Sequence, residues 1–273
     1  MQIVFAAAVL FYMISTVTYF AYLFLQRDLL QKIGCILLVA GFSVQTIDIL
    51  VAFATTGHMP VNNLHETLSM TAWALVGAFL ALNFKFRLKI LGIYASPLAL
   101  FIVLAAGQLP SEPLQPDNLL KGAWLVIHIF TIFTGDAMLA LAAGCGLLYL
   151  IQERSIKSKS RGFFFKRLPS LDLLDTTGYA CIVSGFALLT MGLISGMIYA
   201  KIIWGHFWQW DVKEVWSAVT WIFYAVLLHE RLAVGWRGRR AAIMAILGFG
   251  VMLFTFLGVN LLLKGHHAPF TRF

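Results

Sequence analysis

Residues 201–216 read KIIWGHFWQWDVKEVW and connect two long apolar runs of the chain. Tryptophan is common where a helix meets the membrane surface, but such a belt rarely places four indoles beside a histidine and a carboxylate. Here His206 and Asp211 provide these polar groups. The pattern predicts a platform for a flat, rigid, apolar ligand. We name residues 201–216 the tryptophan segment, since they hold half of the eight tryptophans: Trp204, Trp208, Trp210 and Trp216.

The composition indicates that this protein folds in a lipid bilayer. Of its 273 residues, 60% are hydrophobic and only 12% are charged, and the mean hydropathy is +0.85. A spanning helix needs roughly 20 apolar residues, because the hydrocarbon core of a bilayer is about 30 Å thick. We therefore predict an all-α, polytopic membrane helix bundle that forms a single integral membrane domain over residues 1–273.

Eight apolar segments divide the chain almost from end to end, with short connections between them. The first segment lacks a basic leading region and a small-residue cleavage site, so we expect a retained span rather than a signal peptide. The predicted spans are about 3–25, 33–54, 68–84, 90–107, 123–151, 175–200, 217–234 and 242–263.

The basic residues fall mainly at one end of these eight spans. Fifteen of the 20 lysines and arginines lie at that end, and five lie at the other. Because cytoplasmic connections are enriched in lysine and arginine, we expect both termini and the tryptophan segment on the outer, or periplasmic, side. This orientation fits a bacterial inner or plasma membrane, or a thylakoid. It also accounts for the pI near 9.5 without a nucleic-acid partner.

Short spacings predict local structure. Asp211 and Glu214 have the spacing of a capping box, which predicts that the seventh helix begins directly after Asp211. Gly192 and Gly196 form a small-xxx-small step, which is typical of close packing between membrane helices. Three cysteines lie apart in apolar runs, form no CxxC pair and are expected in the core: Cys35, Cys145 and Cys181.

The seven histidines separate by depth in the predicted bundle. Six lie at or near the outer face, among them His128, about 8 Å below the start of its span. His229 follows Trp216 by thirteen residues, or about 20 Å of helix, so bound metal would need two sites at different depths. An aromatic shelf flanked by imidazoles suits an iron porphyrin, and Lys201 and Lys213 are available for its carboxylates.

Other polar residues allow simpler interpretations. His58 and His65 lie in the first outer connection and are expected to be solvated loop residues. Asp48 and Asp136 lie within spans, where ionisable groups are costly and usually functional. They indicate either a proton path or a buried polar network.

The run WGHFWQWDVKEVWSAVTWIFYAVLLH at 204–229 resembles the WWD signature of the haem-handling family of cytochrome c biogenesis, specifically its CcsA/ResC-type members. The resemblance continues through GWRGRR at 235–240 and GVNLLLKGHH at 258–267, and more weakly through PVNNLHET at 60–67 and WLVIH at 124–128. It implies export of haem b and its presentation, reduced, to the CxxCH segment of apocytochrome c. It also implies holocytochrome c synthase activity, together with a CcsB/ResB-type membrane subunit.

The resemblance further implies roles for individual residues. His128 and His267 would be the axial ligands of the haem iron and, together with Asp211 of the motif, the catalytic residues. His229 would hold haem deeper in the membrane on its way out, opposite a second histidine from the partner subunit. The implied haem-binding residues are Trp204, Gly205, Trp208, Trp210, Asp211, Trp216 and His229.

The sequence departs from the family pattern at three places. Val212 replaces a usual proline, His65 replaces a common tyrosine, and the last motif reads GHHAP, so that both His266 and His267 remain candidate ligands. Three other functions fit parts of the sequence. They are the haem-delivery component of the ABC-transporter-linked pathway, which usually has six spans, a regulatory membrane protein without haem chemistry, and a proton-coupled transporter that uses the two intramembrane aspartates.

Overall fold

The computed structural model describes residues 2–57, 59–86, 88–110, 122–158 and 162–258. Within these ranges eight helices are long and apolar enough to cross a membrane, which confirms the predicted bundle. The Lys89–Leu91 turn is 3-10 helix, and α7 and α8 continue into the π-helical turns Glu230–Val234 and Phe254–Gly258. The helices are α1 Gln2–Leu25, α2 Asp28–Thr56, α3 Leu64–Phe86, α4 Gly92–Gly107, α5 Ala123–Lys157, α6 Leu171–Trp204, α7 Val212–His229 and α8 Arg239–Leu253.

Several helices are longer than the predicted spans, and in α6 local caps rather than hydropathy set the ends. The sixth span was predicted at 175–200, whereas α6 runs from Leu171 to Trp204. The hydroxyl of Ser170 accepts a hydrogen bond from the Leu173 N–H at 3.3 Å and starts the helix one turn earlier. At the other end Gly205 takes the left-handed conformation that commonly terminates helices.

The chain forms two compact units, of which the first ends at Ala123 and the second begins at Trp124. In the first unit, α1–α4 pack closely where glycine meets tyrosine. A Cβ atom at Gly41 would lie 2.6 Å from the Tyr12 ring, and one at Gly92 would overlap the Tyr19 ring. Glycine therefore lets the aromatic side chains of α1 approach the neighbouring backbones.

The first unit also contains a buried polar network. The Tyr12 hydroxyl donates to Gln45 Oε1 at 2.7 Å, and Gln45 Nε2 donates to the Ser69 carbonyl at 2.9 Å. His65 lies in the first turn of α3, where its Nδ1 is 2.8 Å from the Ala106 carbonyl. The prediction of a solvated loop residue at His65 is therefore wrong, because a buried carbonyl at the end of α4 holds the ring.

In the second unit, small residues bring α5, α6 and α8 into backbone contact. A Cβ atom at Gly135 would lie 3.1 Å from the Leu189 nitrogen, and one at Gly146 would lie 2.8 Å from the Ala242 carbonyl oxygen. Such spacing is typical of membrane helices, which associate by close packing and not by a hydrophobic drive between them. This rigid packing positions the histidine of α5 described next.

Candidate functional site

The tryptophan segment begins with a sharp reversal at the end of α6. Gly205 has φ +81°, a conformation that favours glycine, and its N–H donates to the Lys201 carbonyl at 3.1 Å. The Lys201 ammonium donates in turn to the Gly205 carbonyl at 2.7 Å and lies 5.5 Å from the centre of the Phe207 ring. Lys201, which we considered for haem carboxylates, thus has a local partner that fixes the turn.

The second half of the segment is held by Glu214. One of its carboxylate oxygens accepts from the N–H groups of Gln209 at 2.8 Å and Asp211 at 3.2 Å. The Asp211 side chain accepts reciprocally from the backbone N–H of Glu214. This capping box starts α7 at Val212, as predicted, and it forms although Val212 replaces the usual proline. The structural role of Asp211 is therefore that of a helix cap.

The indoles of the segment differ in their surroundings. Trp210 has φ +58°, and 79% of its surface is exposed. Its ring meets that of Trp208 edge to face, with centroids 5.9 Å apart. The Trp216 ring packs against Phe254, with centroids 4.6 Å apart. Trp204, Trp208 and Trp216 are half-buried, so the segment presents both a fixed aromatic base and a projecting indole.

Trp208 carries an unused donor. Its indole N–H is buried but makes no hydrogen bond to any residue in the described part of the chain. A buried donor without an acceptor costs free energy, so such a group in a native protein needs an explanation. An acceptor supplied by a ligand, such as a carboxylate, would satisfy it.

His128 projects from the second turn of α5 against α6. Its Nδ1 lies 2.7 Å from the Gly192 carbonyl oxygen. Because a carbonyl can only accept, Nδ1 carries the proton, and Nε2 is left with the lone pair that a metal ligand requires. Within the described residues, the only hydrogen bond of the ring is the one made by Nδ1.

Gly192 and Gly196, the two glycines of the predicted packing step, both contact the imidazole of His128. A Cβ atom at Gly196 would lie 2.7 Å from both Cε1 and Nδ1 of His128. Gly192 supplies the accepting carbonyl, which also receives the Ser195 hydroxyl at 3.0 Å. Since α6 rises about 1.5 Å per residue, Gly196 lies about 12 Å along the helix axis from Trp204. The step therefore both packs the helices and orients the imidazole.

Charged groups surround this end of the second unit. Lys213, in the first turn of α7, is close enough to Asp136 and Asp211 for attractive charge interactions, although none of the described ion pairs within 4 Å includes it. Lys213 is also close enough to His128 for its positive charge to act on the imidazole. Both alternatives for Asp136, a proton path or a buried polar network, stay predictions.

His229 lies apart from His128, at the opposite end of α7 from Trp216. It is the last residue of that helix, and its side chain is exposed. The same helix face carries Val219, Ile222 and Val226, which are 40%, 55% and 47% exposed. Within the described residues, no group of three histidine, cysteine or acidic side chains gathers around one point. The imidazole therefore projects from an apolar surface.

The predicted second axial ligand, His267, lies outside the described residues, as do His266 and His58. Among the predicted haem-binding residues within the described ranges, three carry groups whose chemistry suits a haem. His128 offers an unprotonated Nε2, Trp208 offers a buried N–H, and the exposed indole of Trp210 offers an apolar face. His206 is exposed within the tryptophan segment, and no described residue orients its ring as Gly192 orients that of His128.

These features define a class of protein: a polytopic membrane protein that presents an indole-rich connection and an oriented imidazole at one end of a helix bundle. The sequence model of the family described as "Cytochrome C assembly protein" matches residues 61–267. The chain is also 35% identical over 246 residues to "Cytochrome c biogenesis protein CcsA" of Prochlorococcus marinus strain MIT 9301, which covers 82% of this chain and 80% of that relative.

Similar proteins of the same description occur in other organisms. The identity is 34% over 257 residues with the protein of Synechococcus elongatus, covering 78% of this chain and 79% of the relative. It is 35% over 234 residues with that of Guillardia theta, covering 78% and 77%. The chain therefore belongs to the cytochrome c assembly protein family, as a CcsA-type cytochrome c biogenesis protein.

Two features of the second unit were not anticipated from the sequence. Cys145 and Cys181 are buried, as expected of core residues, but the sequence did not indicate that their thiols lie beside each other between α5 and α6. Asp175 and Arg231 form a two-pronged ion pair across 56 residues. The sequence held one signal for this ion pair: a carboxylate near the end of a membrane span is costly and therefore needs a partner.

Proposed function

We propose that this chain receives haem b, exports it and presents it for covalent attachment to apocytochrome c, acting with a CcsB/ResB-type subunit as a holocytochrome c synthase. The observation that carries the proposal is the seating of His128. Its Nδ1–H is tied to the Gly192 carbonyl, which leaves Nε2 with a lone pair, and its ring lies beside Gly196, about 12 Å along α6 from Trp204. A macrocycle of haem size bridges such a distance.

Within this proposal the residues act by positioning. His128 and His267, or His266 in place of the latter, would hold the haem iron as its imidazole ligands. The indoles of Trp204, Trp208, Trp210 and Trp216, with Gly205 at the turn, would provide the apolar surface that orients the haem. When bound, haem supplies the vinyl groups, and the CxxCH segment supplies the thiols that add to them.

Asp211 contributes indirectly to this chemistry. Its capping box with Glu214 fixes the start of α7 and the preceding indoles. Its side chain is also within electrostatic reach of Lys213. We propose that it shapes the haem-binding surface rather than transferring protons.

His229 is the proposed deep ligand. A polar ring on an exposed face with Val219, Ile222 and Val226 is unfavourable in lipid, since charged and polar groups within membranes normally face protein. A helix of the CcsB/ResB-type partner that covers this face would bury the apolar residues and add a second imidazole. Haem held there would lie about 20 Å of helix away from Trp216, on its way to the outer site.

The proposed orientation follows from charge. The connection after His229 and the start of α8 contain Arg231, Arg237, Arg239 and Arg240, whereas the tryptophan segment at the other end of α7 contains two lysines. The positive-inside rule then places the tryptophan segment on the outer face of the membrane, together with both termini.

The proposal is tested by purifying the chain with its partner subunit from cells that supply an apocytochrome c substrate. His128→Ala should lose most of the outer-site haem and most holocytochrome c formation, while remaining in the membrane. His206→Ala is the control, because it removes an exposed imidazole from the tryptophan segment without removing a proposed ligand. Full haem content and activity in the His128→Ala protein would exclude the proposed site.

A further inference from the structure

Asp175 on α6 and Arg231 after α7 form an almost enclosed ion pair. The two terminal nitrogens of Arg231 donate to the two carboxylate oxygens of Asp175 at 2.9 and 2.7 Å. The arginine side chain is 10% exposed and the aspartate side chain 14%. The guanidinium also lies 4.4 Å from the centre of the Tyr179 ring. This fork geometry fixes direction as well as distance, which a lysine could not do.

The same carboxylate also fixes the chain beyond the arginine. Asp175 Oδ1 accepts from the Gly238 N–H at 2.9 Å. Gly238 has φ +67°, and a Cβ atom there would lie 2.6 Å from the Tyr149 hydroxyl. The Trp236 N–H closes the π-helical turn by donating to the Glu230 carbonyl at 3.1 Å. One side chain of α6 thus anchors both ends of the connection between α7 and α8.

The ion pair between Asp175 and Arg231 determines the direction of the His229 side chain through helix geometry. Arg231 follows His229 by two residues, and each residue advances about 100° around a helix, so the two side chains point to roughly opposite sides. Because Arg231 is drawn toward α6, His229 must face away from it. The observed exposure agrees, since Arg231 is nearly covered while His229 is exposed.

We propose that Asp175 and Arg231 are a positioning pair for His229, which sets the rotation of the end of α7 and so aims the imidazole at the deep haem. This inference rests on the proposed role of His229 as a haem ligand. A buried ion pair contributes little net stability compared with apolar residues of similar volume, so a role in geometry accounts for it better than a role in stability. Outer contacts that orient a ligand typically change metal affinity by about 10- to 100-fold when removed.

The test uses the complex with the partner subunit in a His128→Ala background, so that the deep haem dominates the visible spectrum. Arg231→Ala should lower haem retention by about tenfold, and Asp175→Asn should lower it similarly. Added free imidazole should restore the low-spin spectrum of both variants, because the haem pocket remains and only the ligand is misdirected. Arg239→Ala is the matched control, since it removes a nearby arginine at the start of α8 that is 62% exposed and whose ion pair with Glu153 is 3.4 Å long.

Arg231→Lys provides a second variant if Arg231→Ala does not accumulate in the membrane. It keeps the cation but loses the fork, and it should also weaken haem retention with rescue by imidazole. In the haem-free protein, Arg231→Lys and Asp175→Asn should each speed the amide hydrogen exchange of residues 230–238. Wild-type retention in Arg231→Lys and Asp175→Asn, or a loss that imidazole does not restore, would overturn the positioning role.

The His229→Ala variant separates this inference from the proposed function. If it loses the deep haem while the Arg231 and Asp175 variants keep theirs, only the positioning role fails. If it keeps the deep haem unchanged, His229 is not the ligand, and the deep site itself must be reassigned.

Discussion

Replacing Gly196 with alanine should disable the proposed outer haem site although no ligand residue is replaced. The added methyl carbon would lie 2.7 Å from Cε1 and Nδ1 of His128, whereas ordinary van der Waals contacts begin at 3.4 Å. The ring must therefore move by about 0.7 Å, or the helices must separate by a similar amount. Either movement strains the 2.7 Å hydrogen bond from Nδ1 to the Gly192 carbonyl.

The expected magnitude follows from two effects. Overpacking a helix contact costs about 1–3 kcal/mol, which a polytopic bundle can tolerate. A misplacement of about 1 Å in a positioned group can lower the rate of a reaction by about 100-fold. We therefore expect Gly196→Ala protein to insert normally, retain little outer-site haem and form holocytochrome c at a few per cent of the wild-type yield.

The assay measures haem per purified complex by its visible spectrum, and holocytochrome c by haem staining of the product. Gly250→Ala is the matched control, because this glycine is also helical, on α8, and an added Cβ would meet no described residue within 4 Å. Equal haem content in the two variants would refute the argument that the glycine step seats the imidazole.

Three further predictions address the cap, the first unit and the orientation. Glu214→Ala should destabilise the tryptophan segment by about 1 kcal/mol and lower haem retention, whereas Glu214→Gln, which keeps an accepting oxygen, should do so less; equal losses would contradict the hydrogen-bond explanation. His65→Ala should lower the free energy of unfolding by about 1 kcal/mol in thermal unfolding and leave the haem spectrum unchanged, since its ring is held by the Ala106 carbonyl; loss of haem would instead make it a ligand. Single cysteines at the exposed Phe207 and Phe164 should react with a membrane-impermeant maleimide from the outer and the cytoplasmic side respectively, in a background without native cysteines; the reverse pattern would invert the proposed topology.

The eight helices could be predicted from the sequence, because bilayer thickness imposes a length that apolar runs reveal directly. Their ends were harder to predict, since α6 extends beyond its apolar core to caps at Ser170 and Gly205. The start of α7 was predicted correctly, because the Asp211–Glu214 capping box is a local signal of four residues.

Contacts between distant residues could not be predicted in the same way. Hydropathy does not show which faces of two membrane helices meet, so it did not reveal that Gly192 and Gly196 seat His128. The contact of Cys145 with Cys181 depends on the rotation of two helices, which no local spacing encodes.

Polar residues near helix ends were misjudged for a related reason. His65 follows PVNN in the first turn of α3, where solvated histidines are common, but the end of α4 supplies a carbonyl that the local sequence does not show. The depth of His229 was predicted from residue count, whereas its exposure on an apolar face required the packed structure.

The most direct test of the central claim is a visible spectrum of the purified complex carrying His128→Ala, recorded before and during titration with free imidazole. If the Nε2 atom of His128 ligates haem at the tryptophan segment, the variant should lose the low-spin spectrum of the outer haem, and imidazole should restore it. A wild-type spectrum before any imidazole is added would contradict the account.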